Sequence, residues 1–120
     1  MSLFRLGWFT AASGSVLPWK VECDSFIDDD WLWAADEIAR IVDFRDVEGV
    51  PTGGLQLANL LAPLGKPSAT SLLIVDDVLT TGGSMEQQRA GRDAVGFVVF
   101  ARGPLPSWVR ALWTFTGDHN

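Results

Sequence analysis

Two carboxylates, three hydroxyls and two glycines share nine consecutive residues, Asp76-Asp77-Val78-Leu79-Thr80-Thr81-Gly82-Gly83-Ser84. Adjacent carboxylates at the end of the apolar run Leu72-Leu73-Ile74-Val75 can accept hydrogen bonds from a pair of neighbouring hydroxyls. The glycines let backbone N–H groups converge into an anion nest, a following helix adds positive potential, and Thr80, Thr81 and Ser84 offer further donors to phosphate oxygens. A diol at one end and a phosphate at the other describe a 5-phosphoribosyl group. A second glycine loop, Pro51-Thr52-Gly53-Gly54, also follows an extended segment and opens a helical one. Alone it is a weak signal; beside the first loop it reads as a second phosphate cradle.

Other chemistries are thinly provided for. Cys23 is the only cysteine and His119 the only histidine, which removes disulfide, thiolate-cluster and histidine-centred mechanisms. Asp28-Asp29-Asp30 lacks the spaced ligands and closing Glu of a calcium loop. Nine basic against fifteen acidic residues give a net charge of −6, which argues against non-specific nucleic-acid binding. With 48% apolar and 20% charged residues in 120, the composition is that of one packed domain. No apolar run approaches the ~18 residues of a membrane span and no signal peptide is readable, so the expectation is a cytoplasmic protein without membrane or nucleic-acid partners.

The elements that must position these loops follow from periodicity. The segment Leu3–Phe26 is broken into short extended pieces by Ser13-Gly14-Ser15 and Pro18. Trp31, Leu32, Ala35, Ile38, Ala39 and Val42 form a helical stripe, with the three aspartates at its positive end. A strand is expected over Asp46–Val50 and a helix through Leu55, Leu57, Ala58, Leu60 and Leu61. Ser71–Val75 reads as a buried parallel strand ending at Asp76-Asp77. A helix runs from Met85 to about Asp93, with Ser84 and Gln87 spaced as a capping box. Val95–Ala101 is another buried strand, Pro106–Arg110 one helical turn, and Ala111–Phe115 a last strand. Such alternation implies an α/β fold with a mostly parallel sheet, whose glycine loops share one carboxyl-end crevice.

The string Leu72–Ser84 resembles the PRPP-binding motif of type I phosphoribosyltransferases, and the chain is similar to orotate phosphoribosyltransferases in particular. Gly7-Trp8-Phe9-Thr10-Ala11-Ala12-Ser13-Gly14 with Pro18-Trp19 resembles their N-terminal hood, Val50–Leu55 their pyrophosphate loop, and Arg102 their orotate-contacting arginine. The resemblance implies a three-layer fold with a reduced, mostly parallel sheet of about four strands and a small hood (residues 1–26) on a core (27–120). It implies that Asp76 and Asp77 serve catalysis at the ribose hydroxyls, and that Thr80, Thr81, Gly82, Gly83 and Ser84 hold the 5-phosphate. Pro51, Thr52, Gly53 and Gly54 would hold the pyrophosphate, and Ser13, Gly14, Lys20 and Arg102 the base. Mg²⁺ would be held through PRPP with no direct protein ligand. The implied reaction is PRPP-dependent phosphoribosyl transfer to a pyrimidine base such as orotate, in a homodimer.

One family feature is missing. Only Gly65–Thr70 joins the second helix to the next strand, so the family's mobile loop with its catalytic lysine has no counterpart. A non-catalytic PRPP- or nucleotide-binding protein is therefore a second reading, with Lys20 and Lys66 as candidate substitutes for the lost cation. An interaction module is a third, suggested by six tryptophans whose simpler role is core filling. The lost strands lie at one edge in the family, which leaves Asp46–Val50 as a new edge needing cover from the hood or a partner subunit.

Overall fold

The computed structural model describes residues 7–11, 16–19 and 28–118. Four strands run parallel: β3 (Asp46–Gly49), β4 (Leu72–Leu79), β5 (Val95–Ala101) and β6 (Val109–Asp118). An N-terminal hairpin, β1 (Gly7–Ala11) and β2 (Val16–Trp19), pairs antiparallel with β6 and completes the order β2-β1-β6-β5-β4-β3. Thr114 lies opposite Ala101, the last residue of β5, so the rest of β6 overhangs the sheet's carboxyl edge, and Gly7–Phe9 pair with this overhang.

Helices α1 (Asp28–Ile41) and α2 (Leu55–Leu61) cover one face of the sheet and α3 (Gly83–Arg89) the other. On the first face Trp31, Ala34, Ala35 and Ile38 of α1 join Leu57 and Leu61 of α2 over Leu73, Val75, Phe97 and Val99. Asp28, Asp29 and Asp30 occupy the first turn of α1 and Arg40 the last, each where the helix dipole favours its charge. The stripe differs from the sequence expectation at one position: Ala34 is buried and Leu32 is 47% exposed. On the second face Met85 of α3 packs with Ile74, Leu79, Val98, Val109 and Ala111.

The parallel neighbours β5 and β6 are joined without a helix. Gly96 lies opposite Val109, so residues 102–108 must return from the carboxyl end of β5 almost to its start. Five residues of strand at ~3.3 Å each make that drop about 17 Å. Seven residues reach about 23 Å when extended, so they cover it with room for the bends at 102–103 and the turn at 107–108. The helical turn expected over Pro106–Arg110 is cut short: a single turn closes from the Val109 N–H to the Pro106 carbonyl (3.0 Å), and Val109 and Arg110 are already in β6.

β3 is the edge strand, as the deletion argument requires. The expectation that the hood covers it is overturned for the described residues, because the hairpin sits beside β6 at the opposite edge. At the β3 edge Glu48 accepts two hydrogen bonds from Arg92 (2.7 Å each) and one from Gln88 (3.0 Å), tying the strand to the end of α3. Those bonds hold the Glu48 carboxyl down at about 2. The Arg92 guanidinium also reaches the Gln88 and Arg89 carbonyls, closing the helix C-terminus.

Candidate active site

The site is built where β4 outruns β3. Pairing with β3 ends at Gly49 and Val75, and the Val50 N–H caps the ladder on the Val75 carbonyl (2.9 Å). β4 continues to Leu79 on its β5 side alone, so Asp76 and Asp77 lie inside the strand and not just past its end, as the sequence suggested. The uncovered side of this overhang is arched by 50–54, in which the Pro51–Thr52 peptide is cis. Gly53 is pressed against the Asp77 carboxylate: a Cβ there would lie 2.5 Å from Oδ2. The first glycine loop in chain order therefore lies against Asp77.

Asp76 is the only charged residue type in the buried set of the described chain, at 7% exposure. Its Oδ1 accepts the Asp77 N–H (2.8 Å), and Asp77 Oδ1 accepts the Val78 N–H (2.8 Å). Burial pushes the Asp76 carboxyl up to about 8, reinforced by a hydrogen bond with, and repulsion from, the Asp77 carboxyl. Burial and Asp77 thus favour the protonated form of Asp76 well above the ordinary carboxylate range.

Asp76, Thr80, Thr81, Gly82 and Ser84 line one small cavity, which joins the acid to the loop that opens α3. Gly82 begins the turn into α3 with φ +84°, a conformation that favours glycine. Gly82 is also the residue preceding the first helical turn, and no side chain caps α3. The capping box expected from Ser84 and Gln87 is therefore not formed; the helix starts earlier, and Ser84 lies within its first turn with its side chain exposed to the crevice. A second cavity of about 320 Å³ separates Val50 and Pro51 from Ser84, Gln87 and Gln88.

Arg102 follows β5 at the same edge. Its N–H donates to the Leu79 carbonyl (2.8 Å), and its guanidinium lies 5.9 Å from the Phe115 ring centroid, toward the overhanging ribbon. Ser13, Gly14 and Lys20 lie outside the described residues. Lys66 is not near the crevice: its N–H donates to the Phe44 carbonyl and its ammonium pairs with Asp43 (2.5 Å), at the amino end of the strands. Lys66 therefore cannot replace a pyrophosphate-loop cation within its own chain.

Sequence reasoning missed the packing of segment 102–108 on the 80–82 loop. Gly103 sits so close to the Thr80 carbonyl that no Cβ fits, and Pro106 Cγ lies 3.3 Å from where a Cβ on Gly82 would be. The available signal was Gly96 inside an apolar strand, which marks a close approach; the Trp108 ring fills that space.

No protein-family model matches the sequence, and the search of curated proteins returns no match. Solved structures do match. A xanthine-guanine-hypoxanthine phosphoribosyltransferase from Helicobacter pylori superposes with a TM-score of 0.53 at 15% identity, over 72% of this chain and 89% of that one. The fold is thus that of the type I phosphoribosyltransferases, an α/β architecture with a four-stranded parallel core.

Proposed function

We propose that this chain binds PRPP along the carboxyl edge of β4 and transfers its phosphoribosyl group to a nucleobase. The observation that carries this reading is the convergence on two adjacent aspartates: Asp77 lies against Gly53 of one loop, and Asp76 shares a cavity with Thr80–Ser84 of the other. In this reading the backbone N–H groups at 81–84 hold the 5-phosphate. Asp76 and Asp77 receive the ribose hydroxyls, and Thr52–Gly54 take the pyrophosphate. Asp76 has to give up its proton, or turn its carbonyl oxygen, to accept a ribose hydroxyl. Arg102 meets the acidic edge of the base, with Ser13, Gly14 and Lys20 of the hood.

Orotate is the acceptor favoured by the hood pattern and Arg102, and its carboxylate suits a guanidinium. The fold neighbour is named for purine bases, so guanine and hypoxanthine belong in the same assay. In this reading Mg²⁺ enters with PRPP and is held through its oxygens. When bound, it would neutralise the pyrophosphate; the chain's own contribution is to orient the ribose and hold the phosphates apart. A homodimer joined at β3 belongs to the same reading. Antiparallel pairing about Val47 would set Asp46 of one copy opposite Glu48 of the other, whose charge Arg92 already offsets. A cytoplasmic location also belongs to it.

The missing mobile loop supports slow turnover. Residues 65–71 only bridge to β4, and losing one stabilising donor typically costs ~10²–10³ in rate. The test is release of pyrophosphate from PRPP and Mg²⁺ with orotate, uracil, guanine or hypoxanthine. Pyrophosphate release that depends on orotate is expected. Release with none of the four, despite PRPP binding, would leave a non-catalytic PRPP-binding protein.

A further inference from the structure

Residues 102–108 do more than connect two strands. They track the phosphate loop contact by contact: the Arg102 N–H on the Leu79 carbonyl, Gly103 against the Thr80 carbonyl, and Pro106 against Gly82. The segment is a strap across the return from β5 to β6, held against the 80–82 loop along its first half and anchored again at its far end. That end is Trp108. Its carbonyl accepts the Gly96 N–H (2.8 Å), and its ring fills the space a Cβ on Gly96 would need. Its indole N–H donates to Glu86 on α3 (2.7 Å). Arg89 clamps the same pair, with its guanidinium 4.5 Å from the indole centroid and bonded to the other Glu86 oxygen (2.7 Å).

We propose that Trp108 and Glu86 are positioning residues: the indole–carboxylate latch fixes the strap, and the strap fixes both the phosphate loop at Thr80–Gly82 and the backbone of Arg102. Neither residue touches the crevice. The latch ties α3, which opens at the phosphate loop, to the segment that begins with the base-reading arginine. It thereby sets the two ends of the site relative to each other. The ligand half of this inference rests on the PRPP reading above; the mechanical half does not.

Two hydrogen bonds report the strap's hold without any ligand: the Arg102 N–H to Leu79 and the Glu86 N–H to the Gly82 carbonyl (3.0 Å). Amide hydrogen exchange is compared for wild type, Trp108→Phe, Glu86→Ala and Glu86→Gln. Trp108→Phe deletes the donor and keeps an aromatic ring, though a smaller one, Glu86→Ala removes the acceptor with the indole intact, and Glu86→Gln keeps an acceptor. We expect about fivefold faster exchange at the Arg102 and, where Glu86 is retained, Glu86 amides in Trp108→Phe, in line with one hydrogen bond to a charged but exposed acceptor. Glu86→Ala should match it at Arg102, and Glu86→Gln should stay within about twofold of wild type. Amides of Val75 and Val98 should not change in any variant. The PRPP dissociation constant should rise about fivefold in Trp108→Phe and Glu86→Ala. Unchanged exchange at Arg102, or acceleration spread equally over β4 and β5, would overturn the latch. Wild type failing to bind PRPP would instead refute the proposed function, and the exchange comparison would still decide the latch.

Discussion

Asp76→Asn should make the unliganded protein more stable at alkaline pH, although it alters a residue of the site. The Asp76 carboxyl stands at about 8 in the folded chain against an ordinary 3.8, because burial and the neighbouring Asp77 carboxyl both oppose its ionisation. A group whose folded value is raised contributes its full stability below the ordinary value and loses it as pH climbs through the folded one. At ~1.4 kcal/mol per pH unit, the separation would amount to about 6 kcal/mol at full strength. The carboxyl lines an open crevice, where water can reach the ionised form, so roughly half of this, ~3 kcal/mol, should be realised between pH 4 and pH 9. An Asn amide reproduces the protonated acid: its oxygen still accepts the Asp77 N–H and its NH₂ can donate to Asp77. The assay is urea unfolding of both proteins at pH 5, 7 and 9. Wild type should lose at least ~1 kcal/mol across that range, several degrees in melting temperature, while Asp76→Asn stays nearly flat. Parallel pH slopes for the two proteins would refute the assignment.

Glu48 acts in the opposite direction. Its carboxyl is held at about 2 by Arg92 and Gln88, so its contribution is present above 4.5 and is lost as pH falls toward 2. The pair is part-exposed, which limits it to about 1 kcal/mol; Glu48→Gln should flatten the acid limb of the stability curve by that amount, read from the same urea series. Asp77→Asn should weaken PRPP binding by roughly 10- to 100-fold, the worth of a charged hydrogen bond, with little change in melting temperature; a large thermal loss with unchanged affinity would make Asp77 structural. Gly53→Ala should both destabilise the fold by ~1–3 kcal/mol and weaken PRPP binding, because its methyl meets the Asp77 carboxylate; melting and calorimetry together check this, and a neutral variant would break the link between the loops.

Much of this was legible in the sequence where local and global signals agree. The apolar run Leu72–Val75 running into acids, hydroxyls and glycines could only be a strand, a turn and a helix. The edge position of β3 followed from which strands the short Gly65–Thr70 connection leaves out. The failures share a cause: each was decided by a partner distant in sequence. Asp76 and Asp77 remain in β4 because β5 keeps pairing after β3 has turned away. Ser84 and Gln87 have the spacing of a capping box, yet Gly82 takes the turn into α3. Residues 106–110 carry helix-compatible residues, but β6 pairs with β5 from Val109 onward, which leaves only the single turn closed on the Pro106 carbonyl. Lys66 was a plausible site cation by charge alone; Asp43 and Phe44 hold it at the far end of the sheet.

The most direct test of the central claim is calorimetric titration of PRPP with Mg²⁺ into wild type and Asp77→Asn at pH 6, below the value to which Asp76 is raised. The account predicts one site per chain in wild type, with proton release visible as a dependence of the heat on buffer, and binding weakened at least tenfold in Asp77→Asn. Equal affinities for the two proteins, or no heat with wild type, would contradict it.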